Sequence, residues 1–90
     1  MSDTDILEVR ESDLFWREVD GKILLLDGKS WEYLQLNSSG DVLWKCLVDG
    51  ASKSQLITKL VELYGIDKAQ ATTDVGAFID RLTDLDLLAS

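Results

Sequence analysis

The chain has 90 residues, 46% of them hydrophobic and 29% charged, with a net charge of −8, one cysteine and no histidine. That length makes one domain with a small core. The acidity opposes phosphate binding, which rests on Lys and Arg displacing counterions; the missing histidine removes the commonest general base and any His-based metal site; and a lone Cys46 rules out an internal disulfide.

Residues 1–13 set Asp3, Asp5, Glu8, Glu11 and Asp13 against Arg10 alone. They read as an acidic, flexible, solvated tail preceding a domain over 14–90, with Ile6, Leu7 and Val9 leaving room for a short added strand. The start lacks the basic region of a signal peptide, and no apolar run is long enough to span a membrane. Together with the single cysteine, this points to a cytoplasmic protein.

Leu14–Val19 (LFWREV) and Lys22–Asp27 (KILLLD) read as strands separated by Asp20-Gly21, and Asp27-Gly28 leads into a third, Ser30 to Asn37. Asp-Gly between apolar runs is a hairpin signal, because a type I′ turn needs positive φ at both central residues. Two such signals in succession predict a three-stranded meander. The run Ile23-Leu24-Leu25-Leu26, apolar on both faces, takes the centre, and the third strand becomes an edge. Arg17 and Glu18 place charges on the other edge, which discourages stray pairing. In the third strand Trp31 and Tyr33 alternate with Glu32, Leu34 and Leu36. One of these two sets faces the helices, and the alternation does not say which.

Three helices follow. Asn37 to Val48 is capped by Asn37 or Ser38 and closed by Asp49-Gly50. Ser52 to Tyr64 opens on a capping box, Ser52 with Gln55, and stops at Gly65. The third, Asp67 to about Leu85, opens on a similar pair, Asp67 with Gln70, and carries the stripe Val75, Phe78, Ile79, Leu82, Leu85. The connectors are short, so the helices pack closely. The fold class is α+β, a small antiparallel sheet followed by three helices.

Nothing here is equipped for catalysis. Cys46 sits in an apolar helical stretch without a base to activate it and reads as a small buried hydrophobe. Asp80 and Asp84, four residues apart on the third helix, read as a solvated face rather than an acid pair. No glycine-rich phosphate loop and no cofactor motif occur. Asp67, Asp74, Asp80, Asp84 and Asp86 against Lys68 and Arg81 make the third helix too acidic to approach nucleic acid. What remains is an open strand edge, flanked by exposed aromatics if Leu34 and Leu36 point inward, an arrangement suited to binding.

An apolar strand and turn from Leu24 to Gly28, Tyr33 with Leu36-Asn37, Gly40 and Trp44, Asp49-Gly50 with Ser52, and Asp74-Val75 with Phe78 and Leu82 follow one another in an order that resembles the PqqD-like family, the RiPP recognition elements. The resemblance covers about Leu14 to Leu88. It implies a winged helix-turn-helix variant with the strands first, and a binding domain without catalytic residues, metal or cofactor. It further implies that the leader segment of a ribosomally made precursor pairs with the third strand and enters a groove against the third helix. On this chain those positions are Trp31, Glu32, Tyr33, Leu34 and Gln35 on the strand, and Asp74, Phe78, Arg81, Leu82 and Leu85 on the helix. The branch most similar is the stand-alone leader-binding protein of lasso-peptide biosynthesis, which acts with a leader peptidase and a cyclase. The member that serves PQQ synthesis beside a radical-SAM enzyme usually has a proline-containing turn before the third strand, and this chain has no proline. A PQQ-type peptide chaperone and a general protein–protein adaptor are the alternatives.

Overall fold

The computed structural model describes residues 5–89. In chain order it contains β1 (Ile6–Leu7), β2 (Leu14–Val19), β3 (Lys22–Asp27), β4 (Glu32–Gln35), α1 (Ser38–Asp49), β5 (Ala51–Ser52), α2 (Lys53–Tyr64) and α3 (Lys68–Asp84). β2, β3 and β4 form an antiparallel meander in that order, and β1 pairs with β5 in a separate two-stranded ladder. The architecture is α+β and winged-helix-like, as expected.

Alternation explains which side of the meander meets the helices. Ile23 and Leu25 of β3 are buried, and the register sets Trp16 and Leu34 opposite Leu25 on the same face. Below them lie Leu43, Trp44 and Leu47 of α1, Leu56 and Leu60 of α2, and Val75 and Leu82 of α3, all buried. Trp44 is fully buried and meets the Trp16 ring edge-on, with centroids 6.3 Å apart. Sheet and α1 are also joined by a bond absent from the sequence reading. The buried Asp41 carboxylate, in the first turn of α1, accepts from the Ile23 N–H at 3.2 Å.

The helix ends follow their capping residues. Asn37 accepts from Gly40 N, Ser52 and Gln55 form the reciprocal box, and Gly65 closes α2 in the left-handed conformation. At α3, Asp67 accepts from Gln70 N, but the Gln70 side chain turns forward to donate to Asp74 at 2.9 Å.

The two Asp-Gly turns differ. Asp20 (φ 53°) and Gly21 (φ 80°) both take positive φ, as a type I′ turn demands. At Asp27-Gly28 the loop is longer, because β3 and β4 pair only up to Asp27 and Glu32. Trp31, expected in the strand, lies in this loop at φ 59° and donates its N–H to Asp27 O. Gly28 is needed there for closeness: its N–H donates to Asp13 O, and a Cβ would stand 2.9 Å from that oxygen.

The acidic tail is the main correction. Met1 to Thr4 lie outside the described residues, but the stretch from Ile6 onward is built into the fold. Ile6 pairs with Ser52, Leu7 with Ala51 and Val9 with Leu88, while Ala89 N donates to Glu8 O. Backbone pairing and the packing of Leu7 and Val9 on the core outweigh the solvation of the intervening carboxylates. Arg10 locks the segment. Its Nε donates to Ser12 O, its Nη1 to Asp86 O, and its Nη2 to Asp13 O and the Asp27 carboxylate, all within 2.7–2.8 Å.

This guanidinium, helped by the Lys29 N–H, holds the Asp27 carboxyl below its ordinary value of 3.8. A depressed folded-state pKa contributes stability above that ordinary value and loses it as pH falls through the folded one. Arg10→Met removes a donor from the Ser12 and Asp86 carbonyls and leaves Asp13 O and the Asp27 carboxylate to the Gly28 and Lys29 N–H groups, so it should lower unfolding stability in urea by about 1–3 kcal/mol at neutral pH. The difference between wild type and variant should narrow as pH is taken below 3.8. A variant of unchanged stability at neutral pH would show that the Arg10 contacts are incidental.

Candidate functional site

The meander leaves β4 with β3 on one side and no described strand on the other. Its inward residues lie under the helices: Leu34 is half-buried, and Leu36, just past the strand, is buried. Tyr33 (68% exposed) lies on the opposite face, and Trp31 (74% exposed) in the preceding loop. The alternative left open by alternation is thereby settled, with Leu34 and Leu36 inward.

Two concavities lie along the helix side of β4. The smaller, about 40 Å³, is bounded by Ser30, Glu32 and Leu34 on the strand side and by Leu85 and Leu87 beyond α3, with Leu14, Leu25 and Asp27 completing it. The larger, about 350 Å³, runs from Leu36 and Asn37 across Ser39, Gly40 and Leu43 of α1 to Asp74, Ala77, Phe78 and Arg81 of α3. The first borders β4 itself and the second the segment that leaves β4 for α1, where it faces α3; they share no lining residue, and the two in succession form an interrupted trough.

Gly40 is needed for this shape. A Cβ there would stand 2.9 Å from Asn37 Oδ1, 3.2 Å from Leu36 Cβ and 3.4 Å from Phe78 Cε1. The missing side chain lets Phe78 lie against the start of α1. The α1 cap is complete, since Asn37 Oδ1 accepts from both Gly40 N and Ser39 Oγ. The trough carries charge of both signs at its α3 wall, with Asp74 half-buried and Arg81 exposed.

Of the positions derived from the sequence, Glu32, Tyr33, Leu34 and Gln35 form the edge, and Trp31 precedes it. Asp74, Phe78 and Arg81 line the larger concavity, and Leu85 the smaller. Leu82 does not join them. It is fully buried, one turn from Phe78 but rotated with Val75 into the core. The sequence does not mark as wall residues Leu36, Asn37, Ser39, Gly40, Leu43 and Ala77 of the larger concavity, or Leu14, Leu25, Asp27 and Leu87 of the smaller. Gly40, unusual early in a helix, was the one signal in the sequence that a close approach occurs there.

The family model described as coenzyme PQQ synthesis protein D (PqqD) matches residues 22–88. Among solved structures, one described as lasso peptide synthetase B1 complexed with the leader peptide is 26% identical. It superposes with a TM-score of 0.82 over 93% of this chain and 98% of that one. Another, TbiB1 in complex with the TbiA(beta) leader peptide, is 19% identical, with a TM-score of 0.84 over 92% and 95%, a likeness of fold. No curated protein sequence matches the chain.

The left-handed Trp31 gives a test of how the edge is presented. Positive φ strains a bulky residue by about 1–2 kcal/mol, and glycine avoids this at some cost in unfolded-state entropy. Trp31→Gly should therefore hold or raise the midpoint of thermal unfolding, whereas Tyr33→Gly, at an extended strand position, should lower stability by about 1 kcal/mol. Equal losses in the two variants would show that Trp31 is held by packing that outweighs its strain.

Proposed function

The chain belongs to the PqqD family, and from that premise we propose that it binds the leader segment of a ribosomally synthesised precursor peptide, which adds as a strand to β4 and sets side chains into the trough facing α3. The single observation that carries this reading is an edge of β4 that no described strand pairs, with one concavity beside it and a second where the chain leaves it for α1. Strand addition needs only free backbone N–H and C=O groups for affinity and side-chain pockets for selectivity. The two leader-bound structures are similar in fold over nearly the whole chain, which supports leader binding; the edge itself is proposed from its geometry.

The energetics suit a binder of moderate affinity. Each large apolar side chain buried in the trough contributes about 1.5–3 kcal/mol. Ordering a disordered peptide costs about 2–5 kcal/mol. Two or three anchors together with main-chain pairing reach the micromolar range, about −8 kcal/mol. In this reading Leu34 and Phe78 meet apolar leader residues, Trp31, Glu32, Tyr33 and Gln35 border the added strand, Leu85 closes one end, and Asp74 and Arg81 set charge at the other. The domain does no chemistry itself. It presents the leader to a leader peptidase and a cyclase, as the likeness to a lasso peptide synthetase B1 favours. The PQQ description of the matching family supports a second reading, delivery of a peptide to a radical-SAM enzyme.

Titration with the leader encoded by the neighbouring precursor gene tests the proposal, and absence of binding at tens of micromolar would sink it. Ala77→Trp, at an exposed wall position, should fill the larger concavity and weaken binding by about tenfold or more without loss of fold. Phe78→Ala should weaken it too, but Phe78 also packs on the core, so its thermal unfolding must be measured alongside. If Arg81 meets an acidic leader residue, Arg81→Ala should reduce the salt dependence of the affinity. Identical salt profiles would remove Arg81 from that role.

A further inference from the structure

The trough uses only one face of β4. On the other, alternation places Phe15, Arg17 and Val19 of β2, Lys22, Leu24 and Leu26 of β3, and Tyr33 and Gln35 of β4. The register aligns them in rows. Phe15 stands opposite Leu26, which stands opposite Tyr33; Arg17, Leu24 and Gln35 form the adjacent row. No described element covers this face. Phe15 is 57% and Tyr33 68% exposed, and a shallow concavity of about 250 Å³ lies between Phe15, Leu24, Leu26 and Tyr33.

The charge on this face is unlike that of the rest of the chain. The sequence holds 17 carboxylates against 9 Lys and Arg. Yet none of these eight strand positions is acidic, and two, Arg17 and Lys22, are basic. The strand carboxylates Glu18, Asp27 and Glu32 all belong to the inward set. A second copy is a poor occupant, because two such faces would bring cations against cations. The apolar row instead runs to the open edge and stops there, with Leu26 on one side of Tyr33 and no described strand on the other.

We propose that a peptide added to β4 is read on both faces, and that Tyr33 selects an apolar or aromatic side chain on the outward one. This rests on the reading of β4 as a peptide-docking edge. Neighbouring strands lie about 4.8 Å apart, so the peptide residue opposite Tyr33 falls within side-chain contact of its ring and extends the row Phe15–Leu26–Tyr33 by one member. Successive residues of a strand point to opposite faces. The outward apolar residue is therefore the immediate sequence neighbour of a residue in the trough. The residue opposite Gln35, two positions away along the peptide, continues a row with a polar member at the edge and carries no apolar requirement. The pattern selected is an inward apolar anchor directly followed or preceded by an outward apolar residue.

The test is selection of displayed random dodecapeptides on the full chain, its Tyr33→Thr variant and its Ala77→Trp variant. Thr keeps strand preference at an exposed position, and far-UV circular dichroism confirms the fold. The expected result is enrichment of an alternating pattern with adjacent inward and outward apolar positions. The outward preference should be lost on Tyr33→Thr while the inward anchors persist. A synthetic winner should bind Tyr33→Thr about three- to tenfold more weakly, and replacing its outward residue by Ser should give the same loss with no further loss in the double change. Peptides whose anchors depend on Ala77 but whose outward position is unbiased, or unmoved by Tyr33→Thr, would overturn the two-face reading and leave the docking edge standing. Recovery of no peptide sensitive to Ala77→Trp would overturn both.

Discussion

One guanidinium holds together the parts that shape the binding edge. Arg10 reaches the carbonyls of Ser12 and Asp13 before β2, the Asp27 carboxylate at the end of β3 and the Asp86 carbonyl beyond α3. Asp27 and the Leu85–Leu87 stretch border the smaller concavity, so its floor and its far wall are tied to the same cation. A planar fork with five donors suits this task, since a lysine would supply one compact charge and fewer fixed directions. Asp27 in turn accepts from Lys29 N in the loop that leads into β4. Position and direction of the edge strand thus depend on a contact between segments 17 residues apart, and on another 76 residues apart.

Around that lock the molecule divides its labour by surface. The inner face of the meander and the three helices carry the core, with Gly40 giving up a side chain so that Phe78 can close against α1. Acidic residues lie on the N-terminal segment, the helices and the inward side of the sheet, while the outward sheet face is apolar and basic. The surfaces on offer are a hydrogen-bonding edge and apolar relief on either side of it, which is the physics of recognition.

Much of the architecture was legible from local chemistry. The strand runs LFWREV and KILLLD, the Asp20-Gly21 turn, and the caps at Asn37, Ser52 and Asp67 act within a few residues, and each reappears in the structure. The reading failed where distant segments meet. Arg10 looked like a stray cation in an acidic tail, because the carbonyls it serves are brought to it only by the fold. Asp27-Gly28 looked like a second tight turn, because the approach of Asp13 that fixes Gly28 is not written nearby. Leu82 shared a helical stripe with Phe78, yet a stripe more than 100° wide divides between core and trough, and periodicity alone cannot place the division. The trough's α1 wall was missed for the same reason: Asn37 and Gly40 signal a cap and a packing contact, and only the position of α3 turns them into a lining.

The shortness of β4 has a consequence for anything it holds. Four residues span about 13 Å, so the edge engages only four or five residues of an added strand, whatever the length of the molecule they belong to. In the proposed reading, the remainder of a bound peptide is a flexible tether leaving both ends of the site. Distant segments on such a tether are confined to a small volume, at effective concentrations that reach millimolar for short flexible spacers. An edge this brief would fix one point of a bound peptide and leave the rest of it mobile and close at hand.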